Sequence, residues 1–514
     1  MSLTQQVLEL LGRNDIESAG TLCHDQLKAG NRTGEIYGLT AFLKDLCGMP
    51  NDAYRLAKQG VKNDPNSVVA LAVGIPIALK FKERETAQQL VDKLATMLAL
   101  GSVEKSEHRL LAKWALGGWH LAQKEYKLAE RRFGEVLVED KSFVAALLGL
   151  ASAYTGLWRL DEAEAIYNRL LDAETLQASC YSGLAVVEFF RGNYRREELM
   201  YRQSLNQNPA ASETHINLGM NLMRQQKWAE GWEHYQMRFA NPGQGRHPAC
   251  IDTPIWRGES LAGKRLLVWG EQGLGDEINF FGAIKVLRGR GLDADKAASL
   301  TYATHYPTYR LAHASPQANG WSISTWQQAA EEKWDYCISQ FSIAHLLAPE
   351  ELHLCAGRFN KPTVDRDGKF RVAIVWKGSS DHTNDANRSL DVELLRPLKE
   401  VCDEVVSLQY RATDVPSWAT DWGGKIGDFA DTALLLAHCD VLVSVCSSPL
   451  HLAGALGMKA IDLLATPTHD WRWGDGTYQP YYENVKLVSC SPQNREAGIA
   501  EAVRLVAGLR EGNW

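Results

Sequence analysis

The chain has 514 residues, 45% of them hydrophobic and 23% charged, with a net charge of −7. That length exceeds what one hydrophobic core supports, so two or three domains are expected. The acidic balance argues against a dominant nucleic-acid surface, which needs a basic face. Ten scattered cysteines with no CxxC pair exclude the usual zinc sites and disulfide frameworks and fit a reducing cytoplasm.

The opening stretch "MSLTQQVLELLGRNDIE" lacks the basic and apolar regions of a signal peptide. The longest apolar stretch, "VVALAVGIPIALKF", is too short to span a bilayer. A soluble, cytoplasmic protein is expected, with no transmembrane segment.

A repeat then runs through the first half. Tyr126, Leu160, Tyr194 and Trp228 stand 34 residues apart. Three residues after each come Ala129, Ala163, Glu197 and Gly231. Seven after come Phe133, Tyr167, Tyr201 and Tyr235, and eleven after come Leu137, Leu171, Leu205 and Phe239. A weaker register at the same period leads with Ile16, Pro50 and Arg84, each followed at offset three by Ala19, Ala53 and Ala87. The two registers are offset by 42 residues, so about eight residues are inserted between the third and fourth units.

Offsets of 3, 7 and 11 share one helical face, and a small residue at the first lets a paired helix approach closely. Gly48 and Gly192, two before their lead residues, are placed to end the preceding helix. Arg195-Arg196 reads as a solvated helix edge. The period resembles the tetratricopeptide repeat, with Glu197 and Gly231 departing from alanine. About seven units over 1–240 imply a right-handed solenoid whose groove grips an extended protein segment.

After Phe239, "ANPGQGRHPACIDTP" stops the helical period, and 241–256 reads as a linker. Beyond it, apolar runs at 265–269, 299–303, 336–339, 371–376, 404–408, 441–445 and 460–464 alternate with helical patterns. This predicts parallel sheets with crossover helices. A proline-bearing break near "GRFNKPTVDRDGKF" divides them into two doubly wound halves, 257–362 and 363–514, with a cleft between them.

Two turns stand at strand ends. In "RLLVWGEQGLGDEINFF", Gly273, Leu274 and Gly275 form a tight turn, and Asp276 falls near a helix N-terminus. There it caps the helix, or accepts a hydroxyl proton at the lip of the cleft. In "DVLVSVCSSPLHLAGALG", Ser447 or Ser448 caps a helix with Pro449 in its first turn. The free amides there make an anion site beside His451.

The segments "WRGESLAGKRLLVWGEQGLGDEINF", "VAIVWKGSSDHTNDANRSL", "SLQY", "DFADTALLLAHCDVLVSV", "HLAGALG" and "DWRWGDGTYQPYY" together resemble bacterial tetratricopeptide-repeat glycosyltransferases. These are related to the lipopolysaccharide heptosyltransferases and share a layout with O-GlcNAc transferase. The resemblance covers essentially the whole chain. It implies a type B glycosyltransferase fold of two Rossmann-like lobes, the first on the acceptor side and the second on the nucleotide-sugar side. It implies Asp276 as catalytic base for the acceptor hydroxyl, and donor phosphates at Ser447, Ser448 and His451. Lys377, Arg388 and Ser389 would contact the diphosphate, Gln409, Asp431 and Thr432 the nucleotide, and Trp471 and Trp473 of "DWRW" would flank the cleft.

Relatives usually read VDTxxxHLAGALG, so Cys446 replaces an aspartate associated with the donor sugar. That change fits either an acidic donor sugar, with Lys377 adding positive charge, or weakened catalysis. Some relatives with this layout modify flagellins from CMP-linked nonulosonic acids. The resemblance thus implies transfer from a nucleotide sugar to serine or threonine of a protein held by the repeats, without a metal. The alternatives are a lipopolysaccharide or polysaccharide glycosyltransferase and a non-catalytic adaptor with a degenerate transferase domain. Asp293-Ala294-Asp295 matches the metal-binding DxD of type A enzymes, but reads here as a polar loop.

Overall fold

The computed structural model describes every residue except 14, 173–175, 241–245, 290–292, 347–352, 380, 381, 383 and 478–480. The first part is built of helix pairs. Their second helices are Ile16–Lys28, Pro50–Asn63, Arg84–Ala99, Tyr126–Glu139, Leu160–Asp172, Tyr194–Gln207 and Trp228–Tyr235, so every lead residue of both registers opens a helix. The small residues three positions later, among them Ala19, Ala53, Ala87, Ala129 and Ala163, are all fully buried.

Packing between pairs follows the same offsets. Phe133 fills space left by glycines on the helices either side. A Cβ at Gly117 would stand 2.7 Å from its ring, and one at Gly149 would strike it as well. The inserted residues lengthen the connection from Arg84–Ala99 to Ser106–Ala122. The apolar stretch at 68–80 is a buried repeat helix. Among the described residues, no helix is long and apolar enough to cross a membrane.

Among the described residues, the turn within each pair places the residue two before the lead in left-handed backbone. Gly48 (φ +71°) and Gly192 (φ +74°) do so, as the sequence predicts, but Lys82, Lys124, Trp158 and Gln226 adopt it too, with φ of 60–63°.

By its contacts the chain forms two compact units, Met1–Leu218 with Met237–Gln244, and Gly219–Gln236 with Gly245–Trp514. The sequence placed a division at 240. In the structure it falls inside the helix Ser212–Arg224, and Trp228–Tyr235 packs within the second unit. The cause is aromatic: Trp232 packs against Phe280, Phe341 and Trp471, with ring centroids 5.6–6.2 Å apart.

The second unit holds two parallel sheets. The first comprises β1 (Arg265–Trp269), β2 (Ser299–Thr304), β3 (Ser322–Thr325) and β4 (Tyr336–Ser339), in the order β3-β2-β1-β4. The second comprises β5 (Arg371–Val375), β6 (Glu404–Ser407), β7 (Thr420–Asp421), β8 (Val441–Val445), β9 (Ala460–Leu464) and β10 (Val485–Ser489), in the order β10-β9-β8-β5-β6-β7. Numbered within its own sheet, the second order is 3-2-1-4-5-6, that of doubly wound nucleotide-binding sheets, and it reverses between β5 and β8. The seven expected strands are present to within one residue. β3, β7 and β10 were missed, being short edge strands with half-exposed or polar sequences.

Candidate functional site

A cavity of about 620 Å³ opens at the carboxyl ends of β1, β5 and β8, where the strand order reverses. Ligands bind at such points because strand ends and helix N-termini leave backbone amides free there. The cavity brings together Gly273, Leu274, Gly275, Asp276, Lys377, Arg388, Gln409, Thr432, Cys446, Ser447, Ser448 and His451. Ser389, Asp431 and Trp473 do not line it.

Asp276 occupies the third position of the helix Leu274–Phe280, and its Oδ2 accepts from the Gly273 N–H at 2.8 Å. This capping bond is the structural role read from the sequence. Its Oδ1 forms an ion pair with Arg472. Withdrawal from water raises the Asp276 carboxyl above its ordinary value, against the pull of that guanidinium. The turn lies hard against the helix after β8. A Cβ on Gly275 would stand 3.0 Å from His451 Cδ2 and 3.3 Å from Ser448 Cα, so any side chain here would have to push these neighbours back by a few tenths of an ångström.

Arg472 was not singled out in the sequence, although the flanking Trp471 and Trp473 were. It is buried (3% exposed side chain), donates twice to Asp470 at 2.9 and 3.0 Å, and packs on Trp471, 4.4 Å from its ring centroid. Burial pushes Asp470 upward, but Arg472 overcomes it and holds the carboxyl down at about 2. Two carboxylates therefore share one guanidinium at the cleft floor. Trp473 is wholly buried behind the lining, donates from Nε1 to Cys446 Sγ at 3.2 Å and stacks on His451 at 5.5 Å. The expectation that Trp473 flanks the opening is corrected: it supports the floor.

Helix Ser448–Ala455 begins at Ser447, whose side chain makes no capping bond; its Oγ lies 2.9 Å from Ser444 Oγ. Burial lowers the His451 imidazole to about 3, so it is neutral near pH 7. Burial also pushes the Cys446 thiol up, against a role as thiolate nucleophile. Behind it Asp462 is fully buried, with neither oxygen partnered among the described residues, and its carboxyl is raised by desolvation.

The remaining expected contacts divide by what their side chains already do. Arg388 donates to the Cys446 carbonyl (2.9 Å), to Asp385 (3.1 Å) and to the Ser379 carbonyl (3.3 Å), spanning the ends of β5 and β8. Lys377 pairs with Asp414 and remains 47% exposed, so its ammonium can turn into the cleft. Gln409 spends its amide on backbone: Oε1 accepts from Trp376 N and Lys377 N, and Nε2 donates to Lys377 O. Ser389 Oγ accepts from Gly378 N and donates to Asp385. Asp431 caps the helix Phe429–Ala437 with Asp428, and Thr432 donates back to the Asp428 carbonyl at 3.2 Å. Gln409 and Thr432 belong to the wall, and Ser389 and Asp431 hold the lining residues Gly378 and Asp428. Asp293 accepts from Lys296 three residues on and from Ser260 of a distant segment.

Residues 120–185 match the tetratricopeptide repeat family, so the chain carries such repeats. It is also similar to Protein FlbA of Caulobacter vibrioides, 22% identical over 307 residues. That match covers 50% of this chain and 48% of FlbA, about half the length of each. Among solved structures, a tetratricopeptide repeat protein of Parabacteroides merdae covers 46% of this chain at 16% identity, with 91% of itself matched and a TM-score of 0.32. The type IV pilus biogenesis factor PilW covers 40% of this chain and 90% of itself, at 15% identity and a TM-score of 0.28.

Proposed function

We propose that this protein is a glycosyltransferase of the type B fold, acting on serine or threonine of a polypeptide engaged by the repeats. The observation that carries the reading is the approach of the Asp276 turn to the helix at Ser448. It sets a carboxylate with a raised pKa beside an open helix N-terminus, at the reversal point of a doubly wound sheet. In this reading the second sheet binds the nucleotide. The acceptor oxygen forms its bond to the anomeric carbon while the bond to the donor phosphate breaks. The hydroxyl proton passes to Asp276, and the bond pair leaves with the nucleotide. The amides at Ser447–Ser448, with Lys377, offset the charge that develops on the leaving phosphate.

The Cys446 thiol supports a donor other than those held by a carboxylate, and an acidic sugar such as a CMP-linked nonulosonic acid fits it. A second reading, a non-catalytic adaptor, draws on the engagement of both Asp276 oxygens, by Gly273 N–H and by Arg472.

The melting temperature against UDP, GDP, ADP, CMP and their sugar conjugates tests this. A ligand at 100 times its Kd adds about 2.7 kcal/mol. A shift with one nucleotide family, and turnover that falls about 100-fold or more in Asp276→Asn, is expected. No shift with any nucleotide favours the adaptor. Turnover on a saccharide lipid but on no polypeptide favours a lipopolysaccharide enzyme.

A further inference from the structure

The carboxyl end of β2 carries polar groups that the proposed transfer does not use. Glu277 follows Asp276 in the chain, but its carboxylate is buried in the other direction (2% exposed). It accepts from Thr304 Oγ1 at 2.7 Å, Thr308 Oγ1 at 2.5 Å and His305 N at 3.3 Å, and it meets His305 Nδ1 at 2.6 Å. The glycine at 270 makes room for it: a Cβ there would stand 2.7 Å from Glu277 Cγ. The His305 ring also stacks on Trp326, with centroids 4.6 Å apart and planes at 26°.

With Nδ1 on a carboxylate and one face on an indole, the imidazole is held from two sides. Its remaining polar atom is Nε2, on a side chain still 36% exposed. The ends of β1 and β2 lie side by side, since Gly270 N donates to Ala303 O at 2.8 Å; His305 itself stands outside the cavity lining, two residues before Pro307, which belongs to it. The titratable groups facing the ring are Glu277, whose hydrogen bond raises the His305 pKa, and His247, which burial holds low. The imidazolium, the form in which Nε2–H donates, is therefore favoured. Glu277 already has three hydrogen bonds without the ring, so holding that carboxylate does not by itself require a half-exposed histidine.

We propose that His305 is an acceptor-binding hydrogen-bond donor beside this cleft, its Nε2–H taking a backbone carbonyl oxygen of the polypeptide whose hydroxyl reacts at Asp276. Trp326 gives the ring a rigid aromatic backing, and Glu277 supplies the counter-charge. The proposal rests on the glycosyl-transfer reading for its acceptor, but its test needs no turnover.

The probe is N-acetyl-threonine N-methylamide, a hydroxyl flanked by two peptide carbonyls. It is titrated into the full chain carrying ¹⁵N-labelled histidine and followed by NMR. The expected result is movement of the His305 Nε2 resonance, with its pKa raised further at saturation. His305→Gln, which keeps a donor, should bind within about threefold at pH 6 and lack the weakening expected of the native protein above the imidazole pKa. His305→Leu should bind about tenfold more weakly, equivalent to 1.4 kcal/mol. Glu277→Gln should move that weakening to lower pH.

A His305 resonance indifferent to the fragment, or equal binding by His305→Leu, overturns the proposal and leaves His305 as a partner for Glu277 alone. If nucleotides shift the melting temperature while His305 ignores the fragment, this proposal fails and glycosyl transfer stands. If the fragment engages His305 while no nucleotide binds, transfer fails and the acceptor pocket stands.

Discussion

Arg472 shows how much can hang on one side chain. Its guanidinium sits among Trp471, Phe280 and Phe341 and neutralises both Asp276 and Asp470. A buried ion pair is costly to assemble, yet losing one partner leaves the other charge stranded in low dielectric. Arg472→Met should therefore destabilise the protein by about 3–5 kcal/mol, read from urea denaturation. Arg472→Lys should also abolish nucleotide-dependent stabilisation, because an ammonium cannot bridge both carboxylates as the planar guanidinium does. Of these three residues only Asp276 was legible beforehand, because a glycine-rich turn into a helix marks its position. Arg472 and Asp470 lie almost 200 residues away in sequence, and nothing in the local pattern announces their pairing.

Elements were read more easily than sites. Every lead residue of the 34-residue period opens a helix, because period and burial are both local consequences of one buried face. The turns carry a less visible constraint. Lys82 holds left-handed backbone (φ +60°) in a position that Gly48 and Gly192 fill without strain. Left-handed backbone costs a side-chain-bearing residue about 1–2 kcal/mol, partly offset by the unfolded-chain entropy glycine adds. Lys82→Gly should raise stability by about 0.5–1 kcal/mol, measured as the denaturation midpoint.

The opposite holds at Gly275, where the helix after β1 meets the helix after β8. Gly275→Val forces its side chain into His451 and Ser448. A loss of about 1–3 kcal/mol is expected, together with weaker nucleotide binding. β3, β7 and β10 escaped the sequence because an edge strand only two to five residues long need not be apolar.

For the whole molecule, pH is the informative variable. His451 and His469 are buried neutral, with pKa values lowered to about 3 and about 4. In the unfolded chain both take protons near pH 6.5, and in the folded chain they do not. Stability is therefore lost as pH falls below 6.5, on the order of 1 kcal/mol per pH unit for each histidine. Below pH 4 the protonation of Asp470 adds to the loss, since its folded pKa of about 2 lies under the unfolded value. The melting temperature should fall between pH 7 and 4, and His469→Gln should flatten that slope; an unchanged slope would refute the assignment.

The sequence by itself determined the repeat period, the helix starts, the alternation that makes parallel sheets and the two turns at strand ends. Each of these is set by residues within one or two turns of chain. Tertiary structure alone decided that the last repeat helix packs with the sheets, through Trp232. It also decided that Gln409 and Ser389 brace backbone, that Arg472 joins two carboxylates, and that Glu277 fixes His305. These depend on which side chains meet across distant segments, where burial turns a modest interaction into a commitment that no local pattern records.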